Sequence, residues 1–426
     1  MKILKQLLPT SLMELLRPSY HFLLALIGAV FYRFPSRKIH VVAVTGTKGK
    51  STVTELVNAV LEEVGLKTAL ANTLRFKIGE KSERNLFKMT MPGRFFLQSF
   101  LRRAVKNKCE WAVIEMTSEG ARQFRHKFID LDALIFTNLS PEHIESHGSY
   151  ENYVKAKLKI AGALSKSKKE KRVLIINNDE KEAEKFKAIE NVEKVLYSLS
   201  AAENLKLEQG ETNFKWKGSD VKSKLIGKFN VYNILAALTF AQAFGIDLDK
   251  AKEAIGKTEK IRGRVEKIEG QGFDVYVDYA HTPDSLEKFY QAFEGQRKIC
   301  VLGNTGGGRD KWKRPEMGRI AEKYCDEIIL TNEDPYDEDL RKIIDDMAVS
   351  VSEKKLKIIL DRREAIAFAL KKAEVISKQT YLEAELPGGG GVVLITGKGT
   401  DPYIMGPKGE KIPWDDAEVV REELKN

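Results

Sequence analysis

The chain has 426 residues, 42% hydrophobic and 31% charged, with a net charge of +10. This length exceeds one ordinary core and the balance is that of a soluble globular protein, so two domains are expected. The basic residues are dispersed among acids, as in KSKKEKR and KAKLKIA, so no nucleic-acid stripe forms; Cys109, Cys300 and Cys325 lack metal spacing and read as reduced thiols of a cytoplasmic protein.

Residues 1–37 form a short apolar helical leader. Its run Phe22–Tyr32, FLLALIGAVFY, is too short to cross a bilayer and precedes no cleavage site. Two readings stay open: an amphipathic helix docked on the body, or one that touches a membrane or a partner. The apolar strand-like run His40–Val44 then feeds VTGTKGKST, Val44–Thr52, which opens a helix-like stretch, Thr52–Val64. Strand, glycine loop and helix in this order make a phosphate cradle: Gly46 and Gly49 let backbone N–H groups turn inward, and the helix adds its positive end. Lys50 is placed for the terminal phosphates and Ser51 for Mg²⁺, which points to ATP. Val44 stands where the generic pattern has its first glycine.

Further strands are expected at Trp111–Glu115, Ala133–Thr137 and Val173–Asn177, each followed by a turn and a helix pattern. This alternation argues a doubly wound α/β sheet of the P-loop type over residues 38–262. Ile261–Gly272, IRGRVEKIEGQG, reads as a linker, and Gly388–Gly391 as a loop. Alternation resumes at Val275–Asp278, Ile299–Gly303, Glu327–Thr331 and Val392–Thr396, a second, Rossmann-like α/β domain over residues 263–426. Glu115, ending its strand, is either a Mg²⁺ ligand or a surface acid. His143, His147 and Lys157 follow in SPEHIESHGSYENYVKAKLK, each either a site residue or a structural one.

In order, VTGTKGKST, VIEMTSEG, TNLSPEHIESHG, YVKAKLKI, LIGKFNVYNILAA, GRVE, VDYAHTPDSLEK, GNTGGGRDKWKRPEMG, NEDP and ITGKGTDPY resemble the Mur ligases. These are ATP-dependent amide-forming enzymes of peptidoglycan precursor synthesis. The resemblance covers roughly residues 38–426 and is strongest to the branch that adds the third residue of the stem peptide. It implies a UDP-linked muramoyl dipeptide and a free diamino acid as substrates, an acyl-phosphate intermediate, ATP, two Mg²⁺ ions and a monomer. By resemblance Gly46, Thr47, Lys48, Gly49, Lys50, Ser51 and Thr52 hold the phosphates. Asn230 and Asn233 contact the adenine, Arg264 and His281 approach the phosphates, and Asp278 meets the ribose. Lys157 falls where the family carries a carbamylated lysine; with His143 it holds one ion, while Ser51 and Glu115 hold the other. Thr90, Ser118, Gln123 and Arg125 match acceptor contacts, with Met91 in place of a threonine.

The sequence also departs from the family. Lys48 replaces the asparagine of GTNGK. Only the leader stands before the phosphate loop where the family's tripeptide-forming members carry a UDP-binding domain. Either the central domain and leader hold the UDP end, or the acceptor is not UDP-linked. Members that add diaminopimelate carry DNPR, whereas this chain reads Asn332-Glu333-Asp334-Pro335-Tyr336. Tyr336 lacks a bidentate clamp; Asp401 is then expected to face an amine, with Lys398 nearby, and the donor is diaminopimelate or lysine. Folylpolyglutamate synthase, a non-catalytic ATP-binding scaffold and the ligase subunit of an amidotransferase are the alternatives.

Overall fold

The computed structural model describes residues 10–142, 144–208, 210–383 and 391–425. His143, the first nine residues of the leader and most of the expected Gly388–Gly391 loop lie outside the described residues. Among the described residues the larger sheet comprises β1 His40–Thr45, β2 Thr68–Ala71, β3 Arg75–Ile78, β4 Lys81–Arg84, β5 Trp111–Glu115, β6 Ala133–Phe136, β7 Val173–Asn177 and β8 Glu193–Tyr197. Their order is β4-β3-β2-β5-β1-β6-β7-β8. The pairs from β2 through β8 are parallel, and β3 and β4 add an antiparallel edge.

A strand buried on both faces reads as a continuous apolar run, because alternate side chains enter different cores. In β1, Val42 and Val44 face one core, under the helices Lys50–Glu63 and Lys228–Ala243. Val41 and Ala43 face the other, under Arg94–Lys106 and Tyr150–Ser165. A three-stranded antiparallel sheet, β9 Glu203–Glu208, β10 Glu211–Trp216 and β11 Ser219–Ser223, closes one end. The sequence reading placed no strands here, although β10 alternates buried Thr212, Phe214 and Trp216 with the more exposed Glu211, Asn213 and Lys215.

The second sheet comprises β12 Glu266–Glu269, β13 Asp274–Val277, β14 Lys298–Leu302, β15 Glu327–Leu330, β16 Leu356–Ile358 and β17 Val392–Ile395, in the order β12-β13-β17-β14-β15-β16. β12 corrects the linker expected at Ile261–Gly272: it is an antiparallel edge strand on β13. Its inward positions are Glu266 and Ile268, and a buried acid disguises the two-residue period. Glu266 is satisfied there by the Gly263 N–H at 2.7 Å and by Arg421. A hairpin, β18 Tyr403–Met405 and β19 Lys411–Pro413, follows.

The cysteine reading is also corrected. Cys300 on β14 and Cys325, just past the helix Lys313–Tyr324, are joined as a disulfide with Cα atoms 6.2 Å apart. Two residues 25 apart in sequence meet because the helix returns over its own strand, which spacing alone does not reveal. Cys109 is free and buried, as expected. The leader forms a helix, Thr10–Phe31, and among the described residues no helix is long and apolar enough to cross a membrane.

Candidate active site

β1 ends where the chain must turn sharply into the helix Lys50–Glu63, and two glycines make the turn. Gly46 has φ +152°, and a Cβ there would lie 1.9 Å from Thr137 Oγ1. Gly49 has φ +79°, and its Cβ would meet Asn233 Oδ1 at 2.3 Å. Both need the missing side chain and the left-handed backbone that glycine tolerates. The Thr47 N–H donates to the Asn138 carbonyl at 2.9 Å and the Lys48 N–H to Asn138 Oδ1 at 2.8 Å, which fixes the cradle from the β6 side.

Beneath the cradle three oxygen groups converge. Ser51 Oγ donates to Glu115 Oε2 at 2.9 Å, and the Thr73 N–H and hydroxyl reach the same oxygen at 3.0 and 2.9 Å. Thr73, between β2 and β3, was missed by sequence reasoning; it sits outside the motif run and shares a hydrogen bond with Thr90 at 2.8 Å. Lys50 Nζ donates to the Thr47 carbonyl at 2.7 Å and stands 4.0 Å from Glu115. Burial pushes its pKa down, opposed by Glu115. Lys157 is buried below the loop, with Nζ donating to the Gly46 carbonyl at 2.6 Å. Burial first, then the Lys50 charge, holds its pKa well below the ordinary lysine value.

The C-terminal sheet supplies the facing wall. Arg264 stacks on Tyr279 at 4.6 Å, and half-buried Asp278 accepts the Val265 N–H at 2.9 Å. Burial raises the Asp278 pKa. His281 meets the Tyr279 carbonyl through Nδ1 at 2.7 Å and Glu142 through Nε2 at 3.0 Å. Lys48 Nζ reaches the same Glu142 oxygen at 3.0 Å, so the lysine that departs from the family pattern joins the phosphate loop to the opposite wall. Burial lowers the His281 pKa to about 4, with Lys48 adding to the effect.

Gly46 and Lys157 lie behind the loop, while the other groups line one cavity of about 2150 Å³, which also takes in Thr52, Asn230, Asn233, Thr90, Ser118, Gln123, Arg125 and Tyr336. Asn233 donates to Asn230 Oδ1 at 2.9 Å, and Asn230 donates to the Ile226 carbonyl at 2.8 Å. Arg125 binds Gln123 Oε1 at 2.7 Å and the Met91 carbonyl, presenting a cation beside Thr90 and Met89. Ser118 meets His147 at 3.1 Å, and His147 packs edge-on against Tyr153 at 5.3 Å.

Asn332, Asp334, Lys398 and Asp401 lie beside the cavity rather than on its wall. Lys398 holds Asp334 at 2.9 Å and Asp401 at 3.0 Å; Lys88, from the loop after β4 of the larger sheet, holds the same acids at 2.7 and 3.1 Å. The amine expected to face Asp401 is therefore supplied twice by the chain itself. Asn332 accepts from Arg362 through its carbonyl at 3.0 Å. Arg309, which the sequence reading did not single out, lies over the Tyr336 ring at 5.3 Å with a guanidinium N–H 3.4 Å from the phenol.

A glycine cradle with an acid at the end of the neighbouring strand, faced by a second α/β sheet carrying arginine, aspartate and histidine, defines a nucleotide-binding ligase fold. The chain belongs to the Mur ligase family: the Mur ligase middle domain profile matches residues 44–241, and that of the Mur ligase glutamate ligase domain residues 263–399. It is 36% identical over 424 residues to the UDP-N-acetylmuramoyl-L-alanyl-D-glutamate–2,6-diaminopimelate ligase of Syntrophomonas wolfei, covering 96% of this chain and 83% of that protein. It is 35% identical over 437 residues to the UDP-N-acetylmuramyl-tripeptide synthetase of Roseiflexus, covering 96% and 82%. A solved UDP-N-acetylmuramoyl-L-alanyl-D-glutamate–2,6-diaminopimelate ligase superposes with TM-score 0.60 at 29% identity, covering 91% of this chain and 78% of that one. The folylpolyglutamate synthase of Mycobacterium tuberculosis shares the fold, with TM-score 0.70 at 15% identity over 87% of this chain and 91% of that one.

Proposed function

We propose that the chain is an ADP-forming ligase that joins a diamino acid, diaminopimelate or lysine, to a UDP-N-acetylmuramoyl-L-alanyl-D-glutamate acceptor. The carrying observation is the single cavity that holds the Lys50–Ser51–Glu115 cradle, the Arg125 patch and the Arg264–Asp278–His281 wall together. Residues 38–262 act as the ATP-binding unit and residues 263–426 as the unit that closes over it. One copy carries every group named, which supports a monomer.

The acceptor carboxylate attacks the γ-phosphorus of ATP, forming an acyl phosphate and releasing ADP. Both reactants are anions, so the barrier is largely electrostatic. Lys50, Lys48 and the loop N–H groups offset that repulsion from fixed positions. The donor amine then attacks the acyl carbon and phosphate leaves. The facing wall excludes water that would hydrolyse the acyl phosphate. Ser51, Thr73 and Glu115 offer hard oxygen donors around one point, which fits Mg²⁺, an ion that keeps several waters and takes few protein ligands. When bound, the ion supplies charge neutralisation at the phosphates. A carbamate on Lys157 would hold the other ion with His143, and the lowered pKa of the buried amine favours the neutral form that captures CO₂.

Phosphate release measured with the dipeptide acceptor and a panel of amino acids tests the reading. Release that needs both the acceptor and a diamino acid is expected. Release driven by glutamate and a folate instead would transfer the chain to the folylpolyglutamate synthases.

A further inference from the structure

The helix Thr10–Phe31 meets the body through one face. Ala25 and Ala29 are buried there, and Gly28 faces Phe95 of the helix Arg94–Lys106. Phe22 makes edge contacts with Phe124 at 6.2 Å and Phe128 at 5.3 Å. Arg94 joins His21 at 2.5 Å to the Gln123 carbonyl at 2.9 Å, which fixes the helix next to the Arg125 patch of the cavity. The helix is therefore a docked part of the molecule, and its other face is left uncovered.

That other face carries Leu16, Tyr20, Leu23, Ile27, Val30 and Phe31, between 41% and 71% exposed. Steps of three and four residues put them on one side of the helix, a stripe about 22 Å long. Single exposed apolar side chains need no explanation; a continuous stripe of them marks an interaction surface.

Charge decides between the occupants. From Leu15 to Thr54 the sequence contains no aspartate or glutamate, whereas Arg17 follows Leu16, the first residue of the stripe, and Arg33, Arg37 and Lys38 follow its last. Arg33, Arg37 and Lys38 are exposed; Arg37 keeps 41% of its side chain open even while paired with Asp130. A second copy seated on this face would oppose like charges, while a layer of lipid phosphates complements them. We infer that this face seats the protein on a bilayer surface containing anionic lipids. The apolar stripe enters the boundary between headgroups and acyl chains, and Arg33, Arg37 and Lys38 meet phosphates. The helix lies on the membrane rather than across it. The acceptor side of the cavity is thereby held close to the membrane, through Arg94 and Gln123.

Sedimentation of the full chain with vesicles tests this without any substrate, so its outcome is separate from that of the ligase assay. Vesicles of phosphatidylglycerol and phosphatidylethanolamine in equal parts are expected to pellet the protein. Binding should fall about tenfold on phosphatidylcholine alone or in high salt. The double variant Leu23→Glu with Ile27→Glu should lose binding about tenfold or more, with melting temperature and ligase rate unchanged. Arg33→Gln with Lys38→Gln should weaken binding to the anionic vesicles only. Failure of the native chain to pellet, equal pelleting of native and Leu23→Glu/Ile27→Glu proteins, or a lipid-independent dimer dissolved by that variant would overturn the inference.

Discussion

The Nζ of Lys157 lies under the phosphate loop and donates to the carbonyl of Gly46 at 2.6 Å, across 111 positions of sequence. Lys157 is also 4.8 Å from the ring centroid of Tyr153, which itself binds Thr47 Oγ1 at 2.8 Å. The amine is thus held against the backbone that cradles the phosphates, in surroundings that disfavour its charge. Replacing Lys157 with alanine should lower the ligation rate about 10²-fold or more, the scale of losing one oriented charge in a closed site. Short carboxylic acids should restore part of the rate. An unchanged rate in the variant would remove the carbamate from the mechanism.

Glu115 gathers Ser51 and Thr73 on one carboxylate oxygen while its other oxygen faces Lys50. Glu115→Gln keeps the shape and removes the negative charge. The rate should fall about 10²-fold or more, since metal assistance is worth several kcal/mol, and the Mg²⁺ needed for half-maximal rate should rise. A magnesium titration of both proteins checks it.

Donor choice should depend on Arg309. The tyrosine at position 336 has no cation of its own, and the guanidinium resting on its ring is positioned to receive a distal carboxylate. Diaminopimelate has that carboxylate and lysine lacks it. Arg309→Met should therefore reduce kcat/KM for diaminopimelate about tenfold or more while leaving lysine little affected. Equal losses for both donors would assign Arg309 to ATP or to structure.

Acid stability should reveal His126, which is buried with neither ring nitrogen hydrogen-bonded and whose pKa burial lowers from 6.5 to about 3. The unfolded chain binds a proton below the ordinary histidine pKa, and the folded chain does not until far lower pH. Stability is therefore fully present above pH ~6.5 and falls by about 1.4 kcal/mol per pH unit toward pH ~3 from this group. His126→Phe should flatten that part of the curve. Denaturant unfolding of the two proteins between pH 7 and pH 4 measures the difference.

A last prediction concerns the C-terminal sheet. Arg362 and Asp416 are both buried and form two hydrogen bonds, at 2.8 and 2.7 Å. Arg362→Met leaves a buried carboxylate without its partner and should cost about 3–5 kcal/mol. A variant replacing both residues with apolar ones should recover much of that loss in thermal unfolding.

Much of the central fold was legible because its strands are short apolar runs and its helices periodic. Trp111–Glu115 and Val173–Asn177 appear with the expected bounds, and the helix after the loop begins at Lys50 rather than Thr52, two residues early. β12 was not legible, because Glu266 occupies a buried position that pattern reading assigns to an apolar side chain. Thr73 carried no local signal, and Arg309 lay unremarked inside the quoted segment GNTGGGRDKWKRPEMG. A lone threonine in a turn and an arginine in a glycine-rich loop become notable only once Glu115 and Tyr336 are seen beside them.

The sequence by itself determined the phosphate loop, the order of the family's motifs and the two α/β sheets, since each follows from residues near one another in the chain. The tertiary structure decided which distant groups share a space: Lys157 under Gly46, Lys48 bridged through Glu142 to His281, Lys88 between Asp334 and Asp401, and Cys300 joined to Cys325. Backbone periodicity and turn chemistry act over a few residues. Charge pairing, desolvation and covalent bridging act through space, and only the packed sheets set those distances.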